Sequence, residues 1–92
     1  MKFGHNVRVW DAIYVQGSHS AIVATVSEDA SCKTWDASTG KLIDHFRGHQ
    51  GKNVWRVTGY PTDKSATIIT GGEDGSLKVW RSRFPKIEEE KE

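Results

Sequence analysis

The chain is short of the residues on which disulfide scaffolds, metal clusters and membrane spans depend. Of its 92 residues one is cysteine, one is methionine and two are proline. A lone thiol, Cys32, excludes an internal disulfide and a cysteine-rich metal site, and it suits a reducing compartment. No run of about 18 apolar residues offers a membrane-spanning helix. The start of the chain, Met1-Lys2-Phe3-Gly4-His5, lacks the apolar centre of a signal peptide. The expected location is therefore cytoplasmic, with no membrane partner. Charge of one sign is also scarce, since the net charge is +1. It is unevenly spread: Glu88, Glu89, Glu90 and Glu92 are offset in the tail only by Lys91, leaving 12 basic and eight acidic residues elsewhere. A mildly basic body is compatible with an RNA-facing surface and equally with a solvated one.

What the chain does have is a repeat. Asp29 and Trp35 are spaced as Asp74 and Trp80 are, 45 residues later. The same shift superposes Trp10 on Trp55, Thr25 on Thr70, Glu28 on Glu73, Ser31 on Ser76 and Lys33 on Lys78, and it uses all four tryptophans. A period of about 40–45 residues with Gly-His near one end and Trp-Asp near the other is the signature of a WD-repeat propeller blade. Gly4-His5 with Trp35-Asp36 makes one copy, and Gly48-His49 with Trp80 makes the second.

Local composition places the strands. In the first copy, Val, Ile, Tyr and Trp over 7–15, the apolar run 21–26, then 31–35 and 41–46 read as four strands separated by turn residues. Gly40 closes the tight turn before the fourth strand and suits a positive φ. The second copy reads as three strands, 54–60, 66–70 and 76–80. Arg81-Ser82-Arg83-Phe84-Pro85 then carries a proline into charged residues and predicts no fourth strand. The expected fold class is all-β: two WD-repeat propeller blades of antiparallel strands, the first four-stranded and the second about three-stranded. Residues 1–47 form the first blade, 48–83 the second, incomplete blade, and 84–92 a charged tail. Two blades leave apolar faces uncovered. The chain is accordingly expected to be a fragment of a larger propeller, or to need further blades in cis or in trans.

On paper, hydroxyl, imidazole and carboxylate groups suggest catalysis: His5, Thr25, Asp29 and Trp35, with His49, Thr70, Asp74 and Trp80. The resemblance to WD-repeat proteins implies instead two structural tetrads, Trp indole to Thr hydroxyl, Thr to His, His to Asp. Each such group would cost about 1–3 kcal/mol if buried unpaired. His5 lies 24 residues before Asp29 and His49 lies 25 before Asp74, a difference located in the loop around Gln50 to Asn53. Neither a metal nor a cofactor is expected. His45 and His49 are close but have no carboxylate cluster beside them, and Gly71-Gly72-Glu73-Asp74-Gly75 carries two acids and no following Gly-Lys-Ser or Gly-Lys-Thr. Cys32, opposite Leu77 in the repeat, reads as a small core residue, and Trp10 and Trp55 read as packing residues.

Three longer strings go beyond a generic blade: 3–10 (Phe3 to Trp10), 27–35 (Ser27 to Trp35) and 48–56 (Gly48 to Arg56). Together they resemble the WD-repeat accessory subunit of the tRNA 2′-O-ribose methyltransferase that acts at the anticodon wobble nucleotide. The resemblance extends to about Arg81, where Trp80-Arg81 departs from Trp-Asp. It implies a noncatalytic scaffold that docks a methyltransferase partner and helps to position tRNA, with Arg8, Lys52 and Arg56 as candidate RNA or partner contacts, since cations supply much of nucleic-acid affinity. The alternative is a general protein–protein interaction scaffold or adaptor unrelated to tRNA.

Overall fold

In the computed structural model, which describes residues 8–49 and 53–85, seven strands follow one another: β1 (Val9–Gln16), β2 (Ala21–Ser27), β3 (Ser31–Asp36), β4 (Leu42–Arg47), β5 (Val54–Pro61), β6 (Ser65–Gly72) and β7 (Leu77–Arg83). They form two antiparallel sheets, β1-β2-β3-β4 and β5-β6-β7. The all-β architecture of a four-stranded and a three-stranded sheet is therefore present. One sequence boundary needs correction. β7 does not stop at Trp80 but runs on through Arg83, because Ala66 and Ser65 of β6 pair with Ser82 and Arg83. Phe84 and Pro85, assigned above to the tail, pack as well. The ring of Phe84 lies against Gly17, where a Cβ would meet it at 2.9 Å, and Ser20 Oγ donates to the Pro85 carbonyl at 3.2 Å.

The repeat survives in three dimensions down to its irregularities. Both sheets carry a register shift at the same place, between Val9 and Asp11 and between Val54 and Arg56. A bulge sets two residues against one and re-aims a side chain. Here the extra residues are Trp10 and Trp55, whose rings meet at 4.8 Å and 51°.

The sheets pack face to face. Alternation sends Ile22, Ala24 and Val26 of β2 toward the second sheet, which answers with Val54, Val57, Ala66 and Ile68, all within one buried cluster that includes Cys32. Ile22 and Ile68 are fully buried, each worth roughly 1.5–3 kcal/mol relative to exposure. At the edge of this core, Phe46 stacks on Trp80 with centroids 4.8 Å apart. A polar clasp lies beside it. Thr34 Oγ1 and Ser82 Oγ are 2.7 Å apart, and Ser82 Oγ donates to Asp44 Oδ2 at 2.8 Å. Since Thr34 and Ser82 are both fully buried, the clasp favours the one relative placement of the sheets that satisfies them.

The β2–β3 and β6–β7 turns require left-handed residues at equivalent positions, Ala30 with φ 70° and Gly75 with φ 81°; Gly40 has φ 80°, as its turn required. A left-handed conformation costs an L-residue roughly 1–2 kcal/mol that glycine avoids. Ala30→Gly should therefore stabilise the fold, by about 1 kcal/mol once the unfolded-state entropy of glycine is subtracted. Denaturant unfolding followed by tryptophan fluorescence checks the sign; a lower midpoint would contradict it.

Candidate functional site

The polar tetrad of the second sheet is built from four elements. Trp80 on β7 donates its indole N–H to Thr70 Oγ1 on β6 at 2.9 Å. His49, just past β4, places Nε2 at 2.8 Å from the same hydroxyl and Nδ1 at 3.0 Å from Asp74 Oδ1 in the β6–β7 turn. With the indole as donor, the Thr70 hydroxyl is free to donate to Nε2, and Nδ1–H then donates to the carboxylate. Ser76 supplies two more bonds to Asp74 Oδ1, from its backbone N–H at 3.1 Å and its hydroxyl at 2.8 Å. Gly72 makes room for the ring, since a Cβ there would stand 2.5 Å from Nδ1. The described residues of the first sheet repeat the indole–hydroxyl bond and the bonds within the turn. Trp35 Nε1 donates to Thr25 Oγ1 at 3.0 Å, while Asp29 accepts from the Ser27 and Ser31 hydroxyls and from the Ser31 N–H. Ser27 occupies the position of Gly72. His5 lies outside the described residues.

His49 and Thr70 are 2% and 0% exposed, so an external substrate has no path to them. The bonds from His49 and then from the Ser76 hydroxyl hold the Asp74 carboxyl down at about 2, against about 3.9 in an unfolded chain. A carboxyl depressed on folding contributes stability that is complete above about pH 4 and is lost as pH falls toward 2. His49→Ala removes the main bond to Asp74 and strands Thr70. Its acid-unfolding midpoint should move to higher pH than that of the parent chain, and circular dichroism across pH 2–6 measures this. Identical acid profiles would refute the coupling.

Cys32 is buried at 1% exposure, and burial pushes its thiol up to about 12. It packs in the core cluster. A thiol reagent should label it at neutral pH only as fast as the fold opens. Labelling of native protein at the rate of a free thiol would contradict this placement. Among the described residues no group of three or more His, Cys, Asp or Glu side chains could hold a metal ion; His45 Nε2 accepts instead from Arg47 Nε at 3.3 Å.

Of the three candidate contact cations, two lie among the described residues. The Arg8 carbonyl accepts from the Glu28 N–H at 2.9 Å, Lys52 lies outside the described residues, and Arg56 is on β5. Arg56 lines an open groove of about 550 Å³ together with Asp11, Trp55, Ile69 and Leu77. Trp55, which the sequence assigned to packing, is 40% exposed. Its neighbour Trp10 is held by an indole bond to Asn53 Oδ1 at 3.2 Å, and Asn53 Nδ2 donates to Glu73 Oε1 at 2.9 Å. Sequence reading missed that Leu77 and Val79 face solvent, at 75% and 65% exposure. Their alternation with Lys78 and Trp80 was the available signal.

Comparison with known proteins agrees with the repeat and corrects its finer placement. Residues 40–81 match the family described as WD domain, G-beta repeat. That stretch takes in β4, β5, β6 and most of β7, so the sequence repeat is offset by one strand from the sheets. Denticleless protein homolog of Danio rerio is 35% identical over 82 residues, spanning 89% of this chain and 12% of that protein. Its Homo sapiens counterpart is 32% identical over 78 residues, 85% of this chain and 10% of that protein. Topless-related protein 4 of Arabidopsis thaliana is 32% identical over 76 residues, 83% of this chain and 7% of that protein. The chain thus spans about an eighth or less of the curated relatives it matches. These relatives replace the accessory subunit of a tRNA methyltransferase that the three longer strings suggested. No solved structure matches. With the family match over 40–81 and the same strand order in both halves, the chain carries a WD repeat.

Proposed function

We propose that this chain is a noncatalytic protein-interaction module, a part of a WD-repeat scaffold whose partners are other proteins. The observation that carries the reading is the state of its reactive side chains. His49, Thr70 and Asp74, which would have to perform any hydroxyl–imidazole–carboxylate chemistry, are bonded in a chain through His49, and His49 and Thr70 are buried. The exposed side of the second sheet is apolar and basic, which suits contact with another macromolecule. No helix among the described residues is long and apolar enough to cross a membrane.

A role in tRNA wobble methylation is the more specific alternative, and Arg56 beside the exposed Trp55 is the feature that favours it, as a cation next to a stacking ring. One experiment separates the two. The protein that contains this chain is affinity-tagged in its own cells and its co-purifying proteins are identified, and wobble 2′-O-ribose methylation of tRNA is measured after its depletion. The expected result is a defined set of protein partners with unchanged methylation. Loss of methylation, with a methyltransferase among the partners, would overturn the general scaffold in favour of the tRNA role.

A further inference from the structure

The β2–β3 and β6–β7 turns are closed by the same bonds and differ in one residue that matters chemically. Each opens on an aspartate whose carboxylate accepts the N–H and the hydroxyl of a serine two residues on, Asp29 with Ser31 and Asp74 with Ser76. In each, the residue after the aspartate has a positive φ and donates its N–H to the end of the preceding strand, Ala30 to the Ser27 carbonyl and Gly75 to the Gly72 carbonyl. That residue is alanine in the first turn and glycine in the second. Asp74-Gly75 is the one Asp-Gly pair in the sequence, and Asn-Gly does not occur.

An aspartate followed by glycine is open to attack by its own main chain. The glycine nitrogen bonds to the aspartate Cγ, and the amide proton leaves with the carboxylic OH as water, closing a five-membered imide. A second water then opens one of its two carbonyls. Opening at Cγ restores the original linkage. Opening at the main-chain carbonyl gives isoaspartate, with the chain running through Cγ and the carboxyl left on Cα. A side chain on the attacking residue hinders the approach, so Asp29-Ala30 is the slower pair. Around Gly75 the space is open, since a Cβ built there would meet nothing within 4 Å.

In the folded chain the reaction is held back at both ends of the bond that would form. Asp74 Oδ1 faces His49 Nδ1 at 3.0 Å, the Ser76 hydroxyl at 2.8 Å and the Ser76 N–H at 3.1 Å, which fix the carboxylate in one position and favour its ionised form. An ionised carboxylate has no OH to lose, and Oδ2 is buried, away from solvent protons. The attacking nitrogen keeps its proton in the bond to the Gly72 carbonyl. These restraints are lost together when the turn opens.

We propose that Asp74-Gly75 is a site of isoaspartate formation that the tetrad keeps closed, and that is exposed to modification whenever His49 leaves the β6–β7 turn. The effect runs one way. Isoaspartate lengthens the main chain by one carbon and shortens the stem of the carboxyl by one, so the carboxylate no longer reaches His49 and Ser76 together. A turn that reacts while open therefore does not regain its bonds. The first sheet is protected by Ala30, which holds at φ 70° a conformation that glycine would adopt more easily. This chemistry belongs to the chain itself and does not depend on what the module binds.

The test ages the 92-residue chain at neutral pH, in buffer and in urea, and digests it with trypsin. Peptide 65–78 then carries Asp74-Gly75, and peptide 9–33 carries Asp29-Ala30. Isoaspartate appears as a second chromatographic species of unchanged mass that an isoaspartyl methyltransferase labels. Peptide 65–78 is expected to split in urea, and about tenfold or more slowly in the folded parent. His49→Ala in buffer should react at least about fivefold faster than the parent in buffer, rising to the urea rate if it unfolds. In urea, where folding plays no part, Gly75→Ala should slow peptide 65–78 to the rate of peptide 9–33, and Ala30→Gly should bring peptide 9–33 up to the rate of 65–78. The proposal is overturned if peptide 65–78 does not split in urea, if the parent reacts alike in buffer and urea, or if His49→Ala reacts no faster than the parent. It is equally overturned if peptide 9–33 of the parent keeps pace with 65–78, or if neither exchange at positions 30 and 75 changes a rate.

Discussion

The contact between the two sheets is the constraint on which the remaining structure depends. A three-stranded sheet with one apolar side is not independently secure, and a four-stranded one buries little more unless something covers it. Here each sheet is the cover for the other. Ile22, Ala24 and Val26 meet Val54, Val57, Ala66 and Ile68, and this burial holds β5, β6 and β7 against the first sheet. The polar clasp of Thr34, Ser82 and Asp44 adds direction to it. Apolar contact alone tolerates sliding, whereas buried hydroxyls keep their bonds in only one register.

The tetrad of Trp80, Thr70, His49 and Asp74 serves the same end within the second sheet. It ties the segment after β4 to the β6–β7 turn and to the middle of β6 and β7, so the sheet is joined across its strands as well as along them. Chemistry that would be reactive at a surface becomes cohesive when buried. The first sheet closes its equivalent turn in the same way, since the Ser31 N–H and hydroxyl meet Asp29 as those of Ser76 meet Asp74, and the Ser27 hydroxyl adds a bond at the position of Gly72.

Much of this was legible from residue types. A spacing of 45 residues located both copies and the count of four strands and then three, because turn residues and β-branched runs act locally. Gly40 and the assignment of Cys32 to the core were readable for the same reason. The finer resemblance carried by strings such as 48–56 was not decisive, since loop residues near a Gly-His turn are shaped by the turn as much as by a partner. The end of β7 was misread because Pro85 suggested an early stop, whereas pairing with β6 continues the strand to Arg83.

By itself, then, the sequence determined the periodicity, the all-β class and the residue types available for buried hydrogen bonds, all of which follow from interactions between near neighbours. Tertiary structure alone decided which side of each sheet is covered. Strand alternation sorts residues into two sides but does not say which side meets a neighbour. Only the docking of one sheet on the other assigns Asp11 to a contact between the sheets and its counterpart Arg56 to an open groove, and it leaves Leu77 and Val79 facing solvent.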